Sequence, residues 1–320
     1  FQQAISGSND YDVTISKLSS MGFDAEDIFY ALASEDIRQA ADIFKSVYDS
    51  TGGTDGYVSL EVSPRLAMDT AETVNEAIEL WGKVNRPNLM IKIPATIPGL
   101  EAITMAISAG INVNVTLIFS VERYSKVIDA YITGLEKRLD SGHDINNVNS
   151  VASFFISRID TLVDARLDEM SLDDVDTDTI RGGTAIANAN LAYNLFQNSI
   201  SSKRWTHLQS KGANVQRPLW ASTSTKDPNY SDVLYVESLI AENTVNTLPP
   251  GTMQAFKDHG NAVLGLEMAP EDATRHMEQL ANLGISMEEI CAKLETDGVV
   301  SFRDSYEQLL DVIAERSQEL

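Results

Sequence analysis

Short apolar runs alternate along this chain with longer stretches in which apolar positions recur every three or four residues. The first pattern reads as buried strands and the second as amphipathic helices. Strands are predicted over 57–62, 88–95, 112–119, 151–158, 217–222 and 244–248. Helices are predicted over 9–20, 24–32, 34–50, 69–84, 98–109, 121–139, 159–170, 181–202, 233–241, 251–258, 270–283, 286–296 and 301–318. Ser34 stands where it would cap the helix at 34–50, in which Ile37, Ala40, Ala41 and Phe44 keep helical spacing. Gly52, Gly53 and Gly56 interrupt the chain before the first strand, and Pro64 ends that strand.

Strands that alternate with helices imply βαβ units and a parallel sheet. No linker or low-complexity segment divides the chain, so a single domain over 1–320 is expected, with C-terminal helices from about 251–320 packing on it. An α/β (β/α)8 TIM barrel suits the pattern better than a doubly wound sheet. No strand is followed by a Gly-x-Gly-x-x-Gly turn, and Gly52, Gly53 and Gly56 have the wrong spacing for a nucleotide loop. A closed barrel of this type has eight strands. Only six are countable here, and the chain begins at Phe1 rather than a methionine. The first two βα units are therefore expected to be absent.

Composition narrows the function classes. Of the 320 residues, 43% are apolar, enough for a sizeable core. No run of about 18 apolar residues exists, so no membrane span and no membrane partner are expected. The first ten residues lack the basic and apolar regions of a signal peptide. The single cysteine, Cys291, excludes an internal disulfide, and with no export signal this favours the cytoplasm. Cys291 lies in an amphipathic segment, where a buried structural thiol is expected rather than a nucleophile. A net charge of −23 argues against a nucleic-acid partner. It leaves open a small anionic substrate, which needs only a local positive pocket.

One stretch bears directly on chemistry, Asn88-Leu-Met-Ile-Lys92-Ile-Pro94-Ala-Thr96. A lysine inside a strand apolar on both faces has two readings. It is a strand-end lysine whose head reaches water, or a desolvated amine able to attack a carbonyl and form a Schiff base. In a barrel the catalytic groups sit at the C-terminal ends of the strands. Along 112–119, Asn112, Asn114 and Thr116 share one face and Val113, Val115 and Leu117 the other, so the polar face is expected to line the barrel. Glu61 ends its strand in phase with Ser59; it reads as a solvated carboxylate or as a proton-transfer partner of Lys92. Ser153, Ser157 and Arg158 end one strand, and Ser222, Ser224 and Lys226 follow the next. Two such hydroxyl-and-cation clusters read as ordinary polar loops or as a phosphate site.

Other motifs lead nowhere. His143, His207, His259 and His276 have no metal-ligand spacing. Asp174-x-Asp176-x-Asp178 is similar to a calcium loop, but Thr179 replaces its glycine and Ala185 its closing glutamate. No Gly-x-Ser-x-Gly elbow is present.

Taken together, the segments Ser59-Leu-Glu-Val-Ser-Pro-Arg-Leu-Ala-Met-Asp-Thr70, Leu89-Met-Ile-Lys-Ile-Pro-Ala-Thr96, Gly110-Ile-Asn-Val-Asn-Val-Thr-Leu-Ile-Phe-Ser120 and Ala152-Ser-Phe-Phe-Ile-Ser-Arg158 resemble transaldolases. Trp220-Ala-Ser-Thr and Asn243-Thr-Val-Asn-Thr247 look like the longer bacterial branch, which includes fusions with glucose-6-phosphate isomerase. The resemblance spans essentially the whole chain. It implies a barrel of class I aldolase type and a cofactor-free mechanism without metal. Lys92 matches the Schiff-base lysine, and Glu61 and Thr116 match the pair that holds the catalytic water. Asn114 matches the residue that binds donor hydroxyls, Ser153 a substrate-contacting serine, Arg158 a phosphate-binding arginine and Ser222 the phosphate-loop serine. The family's second phosphate arginine has no match; Ser224 or Lys226 stands in its place.

The same resemblance implies that two leading βα units, with a catalytic aspartate and an asparagine in a Thr-Ser-Asn-Pro-Thr segment, precede Phe1-Gln-Gln-Ala-Ile5. The expected activity is transfer of a dihydroxyacetone unit from sedoheptulose 7-phosphate to glyceraldehyde 3-phosphate in the pentose phosphate pathway. The alternatives are an enzyme similar to fructose-6-phosphate aldolase, and a non-catalytic sugar-phosphate-binding fragment. The expected partners are small sugar phosphates, in a monomer or homodimer.

Overall fold

The computed structural model describes residues 5, 7–170 and 180–320. Phe1 to Ala4, which border the segment compared with the family's front, and the acidic turn Asp174, Asp176 and Asp178 lie outside the described residues. Among the described residues there are six strands: β1 (Val58–Glu61), β2 (Leu89–Pro94), β3 (Val113–Ile118), β4 (Ser150–Phe155), β5 (Arg217–Ala221) and β6 (Val245–Asn246). They form one sheet in the order β1-β2-β3-β4-β5-β6, every neighbouring pair parallel. The count and the parallel pairing agree with the alternation of the sequence. The two leading units expected to be absent are not confirmed by this sheet.

The helices among the described residues are α1 (Asp12–Ser20), α2 (Ala25–Ser50), α3 (Thr70–Val84), α4 (Ile97–Ser108), α5 (Val121–Asp140), α6 (Ser157–Asp168), α7 (Thr184–Ile200), α8 (Lys203–Gln209), α9 (Leu234–Ser238), α10 (Pro250–His259), α11 (Pro270–Asn282) and α12 (Met287–Glu319). Side-chain caps set several starts. Asp69 accepts from the Glu72 amide at the head of α3, Ser120 from Arg123 at α5, and Thr96 from Gly99 at α4. Thr96 also donates to the Ala67 carbonyl at 2.5 Å, which ties the end of β2 to the preceding connection. Gly99 is required there, because a Cβ would lie 2.1 Å from the Pro94 carbonyl oxygen.

Four expectations are corrected. The helices predicted at 24–32 and 34–50 are one helix, α2, capped by Asp24. Ser34 is buried inside it, since nothing between Ala25 and Ser50 breaks a helix. The helices predicted at 286–296 and 301–318 are likewise one, α12. Gly298 does not end it; it permits a close approach, for a Cβ there would lie 2.9 Å from Leu117 Cδ2. The strand predicted at 151–158 stops at Phe155, and Ser157 and Arg158 open α6. The alternation along β3 fails at Leu117, whose φ is +60°, and the β3–β4 register shifts between Val115 and Ile118. A β-branched or bulky residue in this region is strained, and such a bulge re-aims neighbouring side chains. The helix α8, unread in the sequence, is capped by Ser202 and anchored by buried Trp205 and Leu208.

The core lies between the sheet and its helices. Leu89, Met90, Ile91 and Ile93 of β2 are all buried, as are Val113 and Val115 of β3. This apolar character on both faces is what a parallel sheet covered by helices requires. The long helix α12 packs on α1, α2, α6 and β3 and so reaches the end of the sheet where Lys92 stands.

Candidate active site

Parallel register places Glu61 opposite Lys92 and Lys92 opposite Asn114, so three neighbouring strands present polar groups in one layer. Lys92 Nζ lies 3.3 Å from Glu61 Oε2. The Lys92 side chain is 24% exposed, and it is the fourth residue of a six-residue strand. The side chain is therefore partly buried in mid-strand, with its amine paired to a carboxylate. Burial raises the Glu61 carboxyl above the ordinary carboxylate range, and the Lys92 ammonium opposes that rise.

Asn114 uses both ends of its amide. Its Nδ2 donates to Ser59 Oγ at 3.1 Å, and its Oδ1 accepts from Ser153 Oγ at 2.7 Å. Ser59, Asn114 and Ser153 therefore stitch β1, β3 and β4 together beside Lys92. Thr116, opposite Pro94, is fully buried, and its Oγ1 has no hydrogen-bond partner among the described residues. No hydrogen bond joins it to Glu61. Asn112, expected on the same lining face, is consumed structurally. Its Nδ2 donates to the carbonyls of Pro87 and Leu89 and its Oδ1 accepts from the Asn149 amide.

The second cluster forms at the junction of α6 and the end of β5. Ser222 has a φ of +58°, and its carbonyl accepts from the Ser157 amide at 3.0 Å. The two hydroxyl oxygens are also 3.0 Å apart. Arg158 rests on the face of Phe155, with its guanidinium carbon 5.2 Å from the ring centroid, and makes no ion pair among the described residues. Burial holds its guanidinium below its usual value. Thr223 Oγ1 donates to Asn246 Oδ1 at 2.8 Å, which pins the loop after β5 to β6. Lys226 Nζ donates to Ser224 Oγ at 2.9 Å. Lys226 also borders a cavity walled by Asp160, Asp164, Asp168, Asp227 and two tyrosines.

The sequence reading missed Ser59 as a contact residue, although its alternate spacing from Glu61 marks it. It also missed Phe302 of α12, whose ring centroid lies 5.1 Å from Lys92 Nζ. Together with Glu61, Ser59, Phe29 and Tyr306, Phe302 lines a cavity of about 400 Å³ beside β1. Cys291 is buried against the Phe119 carbonyl, and burial pushes its thiol up to about 12, as a structural thiol requires. His276 bonds Thr184 and His259 pairs with Asp232; among the described residues no group of acidic, histidine or cysteine side chains is placed to hold a metal. No helix among the described residues is long and apolar enough to cross a membrane.

Residues 1–313 match the family model for Transaldolase/Fructose-6-phosphate aldolase. The chain belongs to that family. Relatives agree. It is 50% identical over 318 residues to the transaldolase of Parafrankia sp. (strain EAN1pec), covering 99% of this chain and 85% of the relative. It is 48% identical over 317 residues to the transaldolase of Thermobifida fusca (strain YX), covering 99% and 86%. For the transaldolase of Mycolicibacterium smegmatis the figures are 46% over 315 residues, 97% and 84%. These matches lend no support to the expected loss of two leading units. The layer formed by Glu61, Lys92 and Asn114 sets a carboxylate, an amine and an amide side by side on three adjacent strands.

Proposed function

We propose that this chain is a transaldolase that moves a dihydroxyacetone unit from a ketose phosphate, such as sedoheptulose 7-phosphate, to glyceraldehyde 3-phosphate. Several transaldolases at 46–50% identity over nearly the whole chain support that activity. The observation that carries the mechanism is the Lys92–Glu61 pair on adjacent strands. Lys92 is read as the nucleophile: its Nζ lone pair attacks the ketose carbonyl carbon, the π pair goes to oxygen, and one amine proton follows it to give a carbinolamine. Loss of the protonated hydroxyl as water leaves an iminium. The C4 hydroxyl gives up its proton, the bond between the third and fourth carbons breaks, the shorter aldose phosphate leaves as an aldehyde, and the bonding pair passes into the iminium to form an enamine. The enamine carbon attacks the acceptor aldehyde, whose oxygen takes a proton, and water hydrolyses the resulting iminium to release the new ketose and free Lys92.

Glu61 is read as the group that takes up and returns the protons of these steps, through a water that Thr116 Oγ1 helps to hold. Asn114 and Ser153 are assigned to the donor hydroxyls. Arg158, Ser222 and the loop residues Ser224 and Lys226 are assigned to the phosphate, with Arg158 as the principal cation, because a guanidinium fork suits phosphate and a lysine offers only a point charge. The parallel sheet is read as the wall of a TIM-type barrel in a single domain over 1–320, with the helices from about 251–320 packed on it. The reaction is read as a cytoplasmic step of the pentose phosphate pathway.

Product analysis tests the reading. With donor and acceptor together, the new ketose should accumulate at the expense of both. Release of dihydroxyacetone at the same rate without acceptor would assign the aldolase activity that the family's description also names.

A further inference from the structure

We propose that Phe302 is a catalytic residue, whose ring face stabilises the positive charge that Lys92 Nζ carries as an iminium. The inference rests on Lys92 being the Schiff-base lysine. The ring centroid lies 5.1 Å from Nζ, within the distance at which an aromatic face attracts a cation. Phe302 comes from α12, far from Lys92 in sequence, so the contact is made only by the fold.

The helix that carries it is fixed on both sides. Gly298, Phe302 and Tyr306 are spaced by four residues and lie on one face of α12. Gly298 sits close against Leu117, the residue of β3 with φ +60° that follows Thr116. Tyr306 donates to Glu26 Oε1 at 2.7 Å. Arg65 holds both oxygens of Glu307 at 2.7 and 2.6 Å and reaches Glu26 at 2.9 Å. The strained Leu117, the missing Cβ at 298 and the anchors around 306 all serve to seat residue 302 over the amine.

An ammonium is compact and strongly hydrated, whereas an iminium is planar and spreads its charge, as a guanidinium does. Weakly hydrated planar cations are the ones that stack on aromatic faces. The ring therefore favours the iminium over the ammonium that water would otherwise hold. It neither takes nor gives a proton, so it complements Glu61 without competing for that role. Charge leaves nitrogen when the carbon–carbon bond breaks, so the ring acts on the accumulation of the iminium and not on phosphate binding.

The test is borohydride trapping of the protein with fructose 6-phosphate below saturation, read as the fraction of Lys92 peptide carrying the reduced adduct. Phe302→Leu should lower that fraction by roughly three- to thirty-fold, and Phe302→Trp should hold it at or above the parent level. Phenylalanines of increasing fluorine content incorporated at position 302 keep the shape and weaken the ring's negative face. The trapped fraction should fall with each fluorine added. Trapping that is flat across the fluorinated series, or unchanged in Phe302→Leu, overturns the role of the ring while leaving Lys92 as the nucleophile. Absence of any adduct on Lys92 in the parent protein overturns both.

Discussion

Glu61 and Lys92 are register partners on adjacent parallel strands, with Oε2 and Nζ 3.3 Å apart. A carboxylate raised by burial and held beside an amine is suited to exchange protons with it. Glu61→Gln keeps the shape and removes the exchange. We expect kcat to fall by roughly 10²–10⁴-fold, with the acidic limb of the pH–rate profile lost. That limb should lie above the ordinary range of a glutamate in the parent protein, because burial raises the group. An unchanged pH profile in Glu61→Gln would show that another group carries the protons.

Arg158 stacks on Phe155 and makes no ion pair among the described residues, which leaves its guanidinium for an anion. Charge-assisted hydrogen bonds contribute about 1.5–3 kcal/mol. Arg158→Ala should therefore raise KM for the phosphorylated ketose by roughly 10–100-fold, with a much smaller effect on free dihydroxyacetone as donor. Arg158→Lys should recover only part of the loss, since lysine lacks the fork. Equal losses with phosphorylated and unphosphorylated donors would remove Arg158 from phosphate binding.

Much of this arrangement was legible in the chain. The strand at 88–95 announced itself because apolar residues flank Lys92 on both sides, and the Asn114–Thr116 alternation pointed those groups to one face. Other features had no local signal. Apolar residues continue from Phe154 through Ile156, so nothing there marks Phe155 as the end of β4 and Ser157 as the start of a helix. Nothing local explains Gly298, because its reason lies in Leu117, 181 positions away in the chain. Leu117 itself is a residue type that ordinarily avoids positive φ, and only the surrounding packing imposes it. Phe302 was invisible for the same reason: its meaning depends on a helix folding back across the strand ends.

Asp160 supplies a pH test of the fold beneath the Ser157, Arg158 and Ser222 cluster. It accepts from the Ala185 amide at 2.7 Å and from Tyr235 Oη at 2.8 Å, joining α6, α7 and α9. Burial, aided by Asp164 nearby, pushes its carboxyl up to about 7 against the two donors. A group raised in the folded state is protonated there while the unfolded chain has already ionised. Stability therefore falls as pH rises from about 4 to about 7 and the full cost is present above that window. Asp160→Asn keeps an acceptor for Ala185 and a partner for Tyr235. Urea midpoints should fall less steeply across that window in Asp160→Asn than in the parent, and the variant should be the more stable at pH 8. The same slope in both would show that Asp160 does not titrate there.

Lys92 as the nucleophile is the central assignment, on which the roles of Glu61 and Phe302 depend. Incubation with fructose 6-phosphate and borohydride, followed by peptide mapping, reads this directly. The predicted result is a reduced three-carbon or six-carbon adduct on Lys92 and none in Lys92→Ala. An adduct on another lysine, or one retained in Lys92→Ala, would contradict it.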